Sequence, residues 1–500
     1  MGEGFRTDAV VLGVAVFGAV GIAALPTPAG LSPSGQAALA TTWFAAVLWV
    51  TGAVPLWVTA VSIPVWLVGL GGTESLAAAV TGFADPVIFL FLGTFLLAAA
   101  LNRQGIDRRF ALRLLGLVGT TPRRVLLGTM IATAVLSMLI SNTATTAMMV
   151  PIAVGLAEHF AGDRDPAIAV PNFHVALLLG TAYAATVGGL GTIIGTPPNA
   201  IVVAQLEREL GVRISFVEWM GIGLPVMLVT LPLIWLVLLA IFPPEGARRS
   251  GARAAATLAE RTENLEPLGP VARRVTAVFV LTATLWLVGG LDFLFRDLLP
   301  TSVAAVLWGG PDREGLLYFS VVALAAIPVL TLVGGIDRED VRRIDWGTIL
   351  LFGGGLSLAA ALSATGATTW LADLFLAPAL GLPLFVLLGA IVLFTVAASE
   401  IASNTATVAI LAPVLIDLGQ AGQAELGIAG AALLLPITSA IAASYGFALP
   451  VATPPNAIVF GTGTVTRGQM LRAGVVLDLL FVPVTAVVLY VFFVVLGGPL

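Results

Sequence analysis

The run Ser141-Asn142-Thr143-Ala144-Thr145 recurs as Ser403-Asn404-Thr405-Ala406-Thr407, and a proline stands ten residues after each serine, at Pro151 and Pro413. A second phrase, Thr196-Pro197-Pro198-Asn199-Ala200-Ile201-Val202, recurs as Thr453-Pro454-Pro455-Asn456-Ala457-Ile458-Val459. A third, Ala98-Ala99-Ala100-Leu101 followed by Gly105, matches Ala359-Ala360-Ala361-Leu362 followed by Gly366. The offsets are 262, 257 and 261, so one unit over roughly 86–242 is repeated over roughly 347–497. Three matches in the same order at a nearly constant offset mark a duplicated unit.

The surroundings of these motifs are apolar. Of 500 residues, 58% are hydrophobic and only 10% are charged, and the mean hydropathy is +1.04. A water-soluble fold carries roughly 25% charged residues. This chain cannot coat itself for water and is read as an all-α polytopic membrane protein. Its 55 glycines and 30 prolines sit inside apolar runs, where membrane helices tolerate them. There is no cysteine, and all 23 basic residues are arginine. Thiolate metal sites, cysteine nucleophiles, a P-loop lysine and Schiff-base chemistry are therefore excluded. Two histidines, His159 and His174, are too few for a histidine-rich metal site. An intramembrane enzyme thus lacks its usual groups, and a net charge of -5 argues against a nucleic-acid partner.

Apolar runs of about 17–25 residues predict eleven spans, near 9–25, 37–53, 55–70, 86–101, 173–206, 217–242, 273–289, 315–334, 347–364, 428–462 and 470–497. Residues 125–157 and 384–416 do not fit a simple crossing, being 33 long, apolar at both ends and polar in the middle. One pass needs about 20 residues and two need about 40. These runs predict hairpins that enter halfway and leave by the same side, as backbone can where protein or a wet cavity satisfies the turn.

The arginines test this topology. With both hairpins re-entrant, Arg208, Arg213, Arg296 and Arg313 face one side, and the other 19 of the 23 face the opposite side. The positive-inside rule places the richer side in the cytoplasm. The amino terminus is then inside, the carboxyl terminus outside, and the charged stretch 243–272 is a cytoplasmic loop. The two hairpins open from opposite faces. Inverted repeats of this kind are a transporter architecture with its site near the midplane.

Each Ser-Asn-Thr triplet falls at the expected tip of its hairpin. Such a turn offers carbonyl and hydroxyl oxygens suited to a hard monovalent cation, and helix-start amides suited to an anion. Thr-Pro-Pro-Asn inside an apolar run breaks a helix, because proline lacks an amide hydrogen and displaces the residue before it from helical geometry. A duplicated break beside each hairpin reads as the second wall of a cavity. Glu400, three residues before Ser403, and Asp478 in the last span are either functional or paired with an arginine or a helix start. Met138 is the counterpart of Glu400 in the first repeat. Trp57, Trp66, Trp219, Trp286 and Trp370 read as interfacial anchors, and His174 as structural.

These residues resemble the divalent anion/sodium symporter family, which carries dicarboxylates, citrate or sulfate. The resemblance covers nearly the whole chain. It rests on the two Ser-Asn-Thr tips and on a signature matched by Ala443-Ser444-Tyr445-Gly446-Phe447-Ala448-Leu449-Pro450-Val451-Ala452-Thr453-Pro454-Pro455-Asn456-Ala457-Ile458-Val459. It implies a homodimer in the plasma membrane, surrounded by lipid, with a fixed scaffold and a transport domain that moves as an elevator. The chain then divides into scaffold helices 1–85, the repeats 86–242 and 347–497, the loop 243–272 and linking helices 273–346. The resemblance also implies a sodium site at each tip, and no cofactor beyond the coupling ion. The first would use Ser137, Ser141, Asn142 and a carbonyl near Gly195. The second would use Ser399, the Ala402 carbonyl, Asn404 and a carbonyl near Ala452. Substrate would touch Ser141, Asn142, Thr143, Ser403, Asn404 and Thr405, with Thr196, Pro197, Thr453 and Pro454 alongside. Ser399 stands where sodium-coupled members are expected to carry threonine, a departure that keeps the hydroxyl.

No arginine is close in sequence to either triplet. A dianion in a dry cavity without a basic partner is costly to desolvate, so bound cations and helix starts must supply the positive charge. The leading expectation is a sodium-coupled symporter of a succinate-like dianion binding two or more Na⁺. A sodium-independent dicarboxylate exchanger, a sulfate symporter and, from another class, an anion channel remain as alternatives.

Overall fold

The computed structural model of the chain describes residues 2–116, 121–161, 172–244, 267–310, 313–379, 382–426 and 430–497. Arg164, Arg248, Arg249, Arg253, Arg261 and residues 245–266 of the 243–272 loop lie outside the described residues. The regular secondary structure of the described chain is helical apart from one two-residue antiparallel pairing of Gly309–Gly310 with Arg313–Glu314. Among the described residues, eight helices are long and apolar enough to cross a membrane, with shorter apolar helices at Asp8–Ala24, Leu56–Leu70, Phe319–Leu332 and Ala431–Ala443.

Local chemistry explains where the functional helices start and stop. Pro197 and Pro454 each occupy the first turn of a helix, where a missing amide hydrogen is harmless. The span predicted at 173–206 is accordingly broken into Asn172–Gly188 and Pro197–Leu210, joined through a short 3₁₀ turn, Gly189–Gly191. The span predicted at 428–462 is broken into Ala431–Ala443 and Pro454–Gly461. The runs predicted as re-entrant hairpins, 125–157 and 384–416, are helix pairs, Pro122–Ser137 with Asn142–Ala161 and Leu384–Ile401 with Asn404–Leu426. Their arms run past the apolar stretches that predicted them. Both arms of the second hairpin reach the length of a spanning helix, so arm length does not decide re-entry. The third repeated motif also has a structural counterpart. Gly105 and Gly366 take positive φ values of 61° and 70° and turn the chain into the short helices Ile106–Gly116 and Ala367–Ala379.

The core is built on Asn172–Gly188, whose residues from Val175 onward are all buried. It packs on both arms of the first hairpin and on Pro454–Gly461 of the other repeat. Pro197–Leu210 in turn packs on Asn404–Leu426 of the second hairpin, so each repeat lends a half-helix to the other. Glycines let outer helices meet at the backbone: a Cβ on Gly93 would stand 2.5 Å from the Ala323 carbonyl, and one on Gly354 2.5 Å from that of Ala60. Small residues at such crossings substitute for a hydrophobic driving force that lipid does not supply. Peripheral helices expose large apolar side chains such as Phe17 and Leu332, as a lipid-facing surface does.

One aromatic expectation is corrected. Trp219 and Trp286 are 0% and 2% exposed. Their indole nitrogens donate to the Leu190 and Phe319 carbonyls, both at 3.0 Å. Their N–H groups satisfy buried carbonyls instead of water or headgroups. Trp57 is 45% exposed. His174 bridges to the Ala157 carbonyl at 2.6 Å and ties a broken helix to the first hairpin.

Candidate functional site

Four helices begin at the repeated motifs, at Asn142, Pro197, Asn404 and Pro454. Helix starts carry partial positive charge from unpaired amides. Ser141 accepts a hydrogen bond from the Ala144 amide at 3.3 Å, and Thr453 accepts one from the Asn456 amide at 3.3 Å. Thr143 is exposed on the first turn of its arm; Ser403 is half-buried and Thr405 is buried. Thr196 is buried at the head of its helix, whereas Pro454 is exposed at the start of the matching one.

At the first tip, Ser137 Oγ donates to Asn142 Oδ1 at 2.7 Å. In this orientation Oδ1 also faces the Ala185 and Gly195 carbonyls, which can only accept. Turned over, the amide nitrogen stands within donating distance of the Ala185 carbonyl at 3.1 Å, Ser137 Oγ at 2.7 Å and the Gly195 carbonyl at 3.1 Å, with two hydrogens to share among them. One point therefore gathers two backbone carbonyls, a hydroxyl and a carboxamide. An amide N–H satisfies this cluster from within, and a hard cation would favour the orientation that turns the amide oxygen inward. Ser137, Asn142 and Gly195, expected together, are brought together.

The second tip differs. Ser399 Oγ and Asn404 Oδ1 stand at the positions of Ser137 and Asn142, and both oxygens are buried without a hydrogen-bond partner. Ala402, in extended conformation, makes the turn between the arms. Ala452 is buried in the facing loop, its amide donating to the Leu449 carbonyl at 3.2 Å. Unpartnered buried oxygens are costly, and here they recur at matched positions. Thr145 and Thr407 have hydroxyls without partners, and so do the side-chain oxygens of Asn199 and Asn456.

Asn199 and Asn456 were within reach of sequence reasoning, as the last letter of Thr-Pro-Pro-Asn, but their role was not assigned. Asn199 Nδ2 donates to the Gly189 and Thr192 carbonyls at 3.0 and 2.8 Å. Asn456 Nδ2 donates to the Gly446 and Leu449 carbonyls at 2.9 and 3.0 Å. Every partner is displaced by the same 257 positions, so the two breaks are clasped identically. Glu400 accepts from the Ala448 and Leu449 amides at 2.8 and 2.9 Å. Asp478 accepts from the Phe447 amide at 3.3 Å. These acids are held by backbone amides, without an arginine. Arg208 is engaged elsewhere, paired with Asp85 at 2.5 Å and donating to the Leu356 carbonyl at 2.9 Å.

A helical polytopic architecture with paired hairpins and paired broken helices defines the class: this is an integral membrane transporter. The whole-chain comparisons agree. A model described as the sodium:sulfate symporter transmembrane region matches residues 6–498, and the chain belongs to that family. An uncharacterized transporter of Haemophilus influenzae is 36% identical, the match covering 92% of each chain. The sodium-dependent dicarboxylate transporter SdcS of Staphylococcus saprophyticus is 36% identical over 93% of this chain and 87% of its own, and that of Staphylococcus aureus 34% over 94% and 88%. Among solved structures, the YdaH transporter of Alcanivorax borkumensis matches with a TM-score of 0.57 at 18% identity, over 85% of this chain and 88% of its own. MtrF of Neisseria gonorrhoeae matches at 0.53 and 12%, over 99% and 96%. At these identities the likeness is one of fold.

Proposed function

We propose that the protein is a secondary active transporter of the plasma membrane that couples Na⁺ to the movement of a small dicarboxylate, a succinate-like dianion. The observation that carries this reading is the set of buried oxygens without partners at Ser399, Asn404, Thr145 and Thr407, beside helix starts, together with the carbonyls of Ala185 and Gly195 gathered at Asn142. Oxygens of this kind suit Na⁺, and the amide ends suit a carboxylate. The first sodium would be held by Ser137, Ser141, Asn142 and Gly195. The second would be held by Ser399, Ala402, Asn404 and Ala452. The dianion would lie between Ser141-Asn142-Thr143 and Ser403-Asn404-Thr405, flanked by Thr196, Pro197, Thr453 and Pro454. Relatives named as sodium-dependent dicarboxylate transporters support the choice of dicarboxylate over sulfate.

In this reading the two units 86–242 and 347–497 are inverted repeats, their hairpins re-enter from opposite faces, and about eleven helices span the membrane, the amino terminus being cytoplasmic and the carboxyl terminus outside. Residues 1–85 and 273–346 belong to the scaffold of a homodimer embedded in lipid, and the hairpins and broken helices move past it as an elevator. Two or more Na⁺ accompany each dianion and are needed for tight binding.

Thermal stabilisation by succinate, malate, citrate and sulfate, each with and without Na⁺, tests the reading. Stabilisation by C4 dicarboxylates only when Na⁺ is present is expected. Equal stabilisation in K⁺ moves the protein to sodium-independent exchange, and a response to sulfate alone moves it to sulfate symport.

A further inference from the structure

The loop 444–453, between Ala431–Ala443 and Pro454–Gly461, turns through Gly446 at a φ of 128°, a conformation open to glycine and strained for other residues. The Ser444 and Tyr445 amides still bond the carbonyls of Ile441 and Ala442, but those of Phe447, Ala448 and Leu449 have no helix to bond. Ala448 and Leu449 instead donate to the two oxygens of Glu400, and Phe447 donates to Asp478. Glu400 sits on the hairpin arm immediately after Ser399, whose buried hydroxyl has no partner.

The first repeat solves the same problem with different atoms. There Gly189–Gly191 is wound into a 3₁₀ turn, and the Thr192 hydroxyl donates to the Met138 carbonyl. Met138 and Glu400 are the same position of the repeat, 262 residues apart. In both halves this position fastens the hairpin to the broken-helix loop, by a main-chain carbonyl in one and by a carboxylate in the other. The fastening is therefore a feature of the duplicated unit and not an accident of one acidic residue.

We propose that Glu400 is a positioning residue: it fixes loop 444–453 to the second hairpin so that the oxygens of Ser399 and Asn404 and the Thr453–Pro454 wall are set as one rigid unit. The proposal rests on the sodium-coupled reading above. Removing the fastening lets the wall drift from the hairpin, and the ion that needs both pays first.

The test is Glu400→Gln, which keeps the shape but turns a donor toward one of the two amides. Hydrogen exchange and proteoliposome uptake are measured on the same reconstituted protein. One hydrogen bond to a charged group corresponds to roughly a tenfold change in an equilibrium. The sodium half-saturation of uptake is expected to rise about tenfold, with the dicarboxylate KM at saturating sodium changing less than about twofold, and exchange at 444–453 to quicken by about tenfold. Exchange at 187–196 stays as in the wild type. Unchanged exchange at 444–453, equal loosening of both loops, or a loosened loop with unaltered sodium half-saturation each overturns the proposal. If the wild type takes up substrate without sodium, the functional reading falls, and the exchange comparison still decides the fastening. Should the glutamine variant fail to assemble, Glu400→Asp, one methylene shorter, gives the same comparison.

Discussion

Replacing Asn199 or Asn456 by alanine opens the clasp on a broken helix, and the two replacements should cost nearly the same. Each carboxamide donates two hydrogen bonds of 2.8–3.0 Å to backbone carbonyls. A buried carbonyl left without its donor costs about 1–3 kcal/mol, as at Gly189 and Gly446. The Thr192 and Leu449 carbonyls keep the Gly195 and Ala452 amides at 3.4 and 3.2 Å, so there only a net hydrogen bond of about 1 kcal/mol is lost. The side-chain oxygen of each asparagine is itself unpartnered, and deleting it returns about 1 kcal/mol. The net destabilisation is about 2 kcal/mol in either half. With about 2 cal/mol/K of unfolding entropy per residue, a chain of 500 residues gains about 1 kcal/mol/K, and Tm falls by about 2 °C. Intrinsic tryptophan fluorescence of detergent-solubilised protein during a thermal ramp reads this directly. A variant whose Tm stays within about 1 °C of wild type, or a pair differing by more than about twofold, would refute the argument that the repeat duplicates energetics as well as sequence.

The remaining predictions concern the tips and one distant ion pair. Asn142→Ala and Asn404→Ala, made separately, should reduce uptake to background while the protein elutes from a sizing column as the wild type does. Thr407→Val removes a buried hydroxyl that has no partner; it should raise stability by about 1 kcal/mol in the thermal assay yet lower transport, separating a functional hydroxyl from a structural one. Asp85→Asn deprives Arg208 of its carboxylate partner and should cost about 3 kcal/mol. In a double-mutant cycle, adding Arg208→Met should restore most of that loss, and full additivity would show that the pair is not coupled.

Much of the site was legible because its signals are local. Lone prolines such as Pro151 and Pro413 are carried inside helices, but the Thr-Pro-Pro-Asn phrases at Pro197 and Pro454 begin new ones, so both broken spans could be placed from the sequence. Gly105 and Gly366 stood out only as part of a repeated match, and it is the backbone that shows both as turns with positive φ. The triplets fell at the turns between arms because Ser, Asn and Thr in an apolar run satisfy a bend from their own side chains. What the sequence hid is tertiary. Glu400 meets its amide partners 48 and 49 residues away, and no local pattern distinguishes that fate from pairing with an arginine. Trp219 and Trp286 carry the same signature as interfacial anchors, and only the carbonyls of Leu190 and Phe319 explain their burial. Arm length misled in another way: helices such as Asn404–Leu426 continue through polar residues that an apolar window cuts off, because i to i−4 backbone bonding does not stop where hydropathy does.

The most direct test of sodium-coupled dicarboxylate transport is uptake of labelled succinate into proteoliposomes holding the purified protein, driven by an inward Na⁺ gradient or by an equal K⁺ gradient. Accumulation above equilibrium with Na⁺, and background counts with K⁺, are the predicted results. Equal accumulation in both salts, or sodium-driven uptake that survives the loss of both Asn142 and Asn404, would contradict the account.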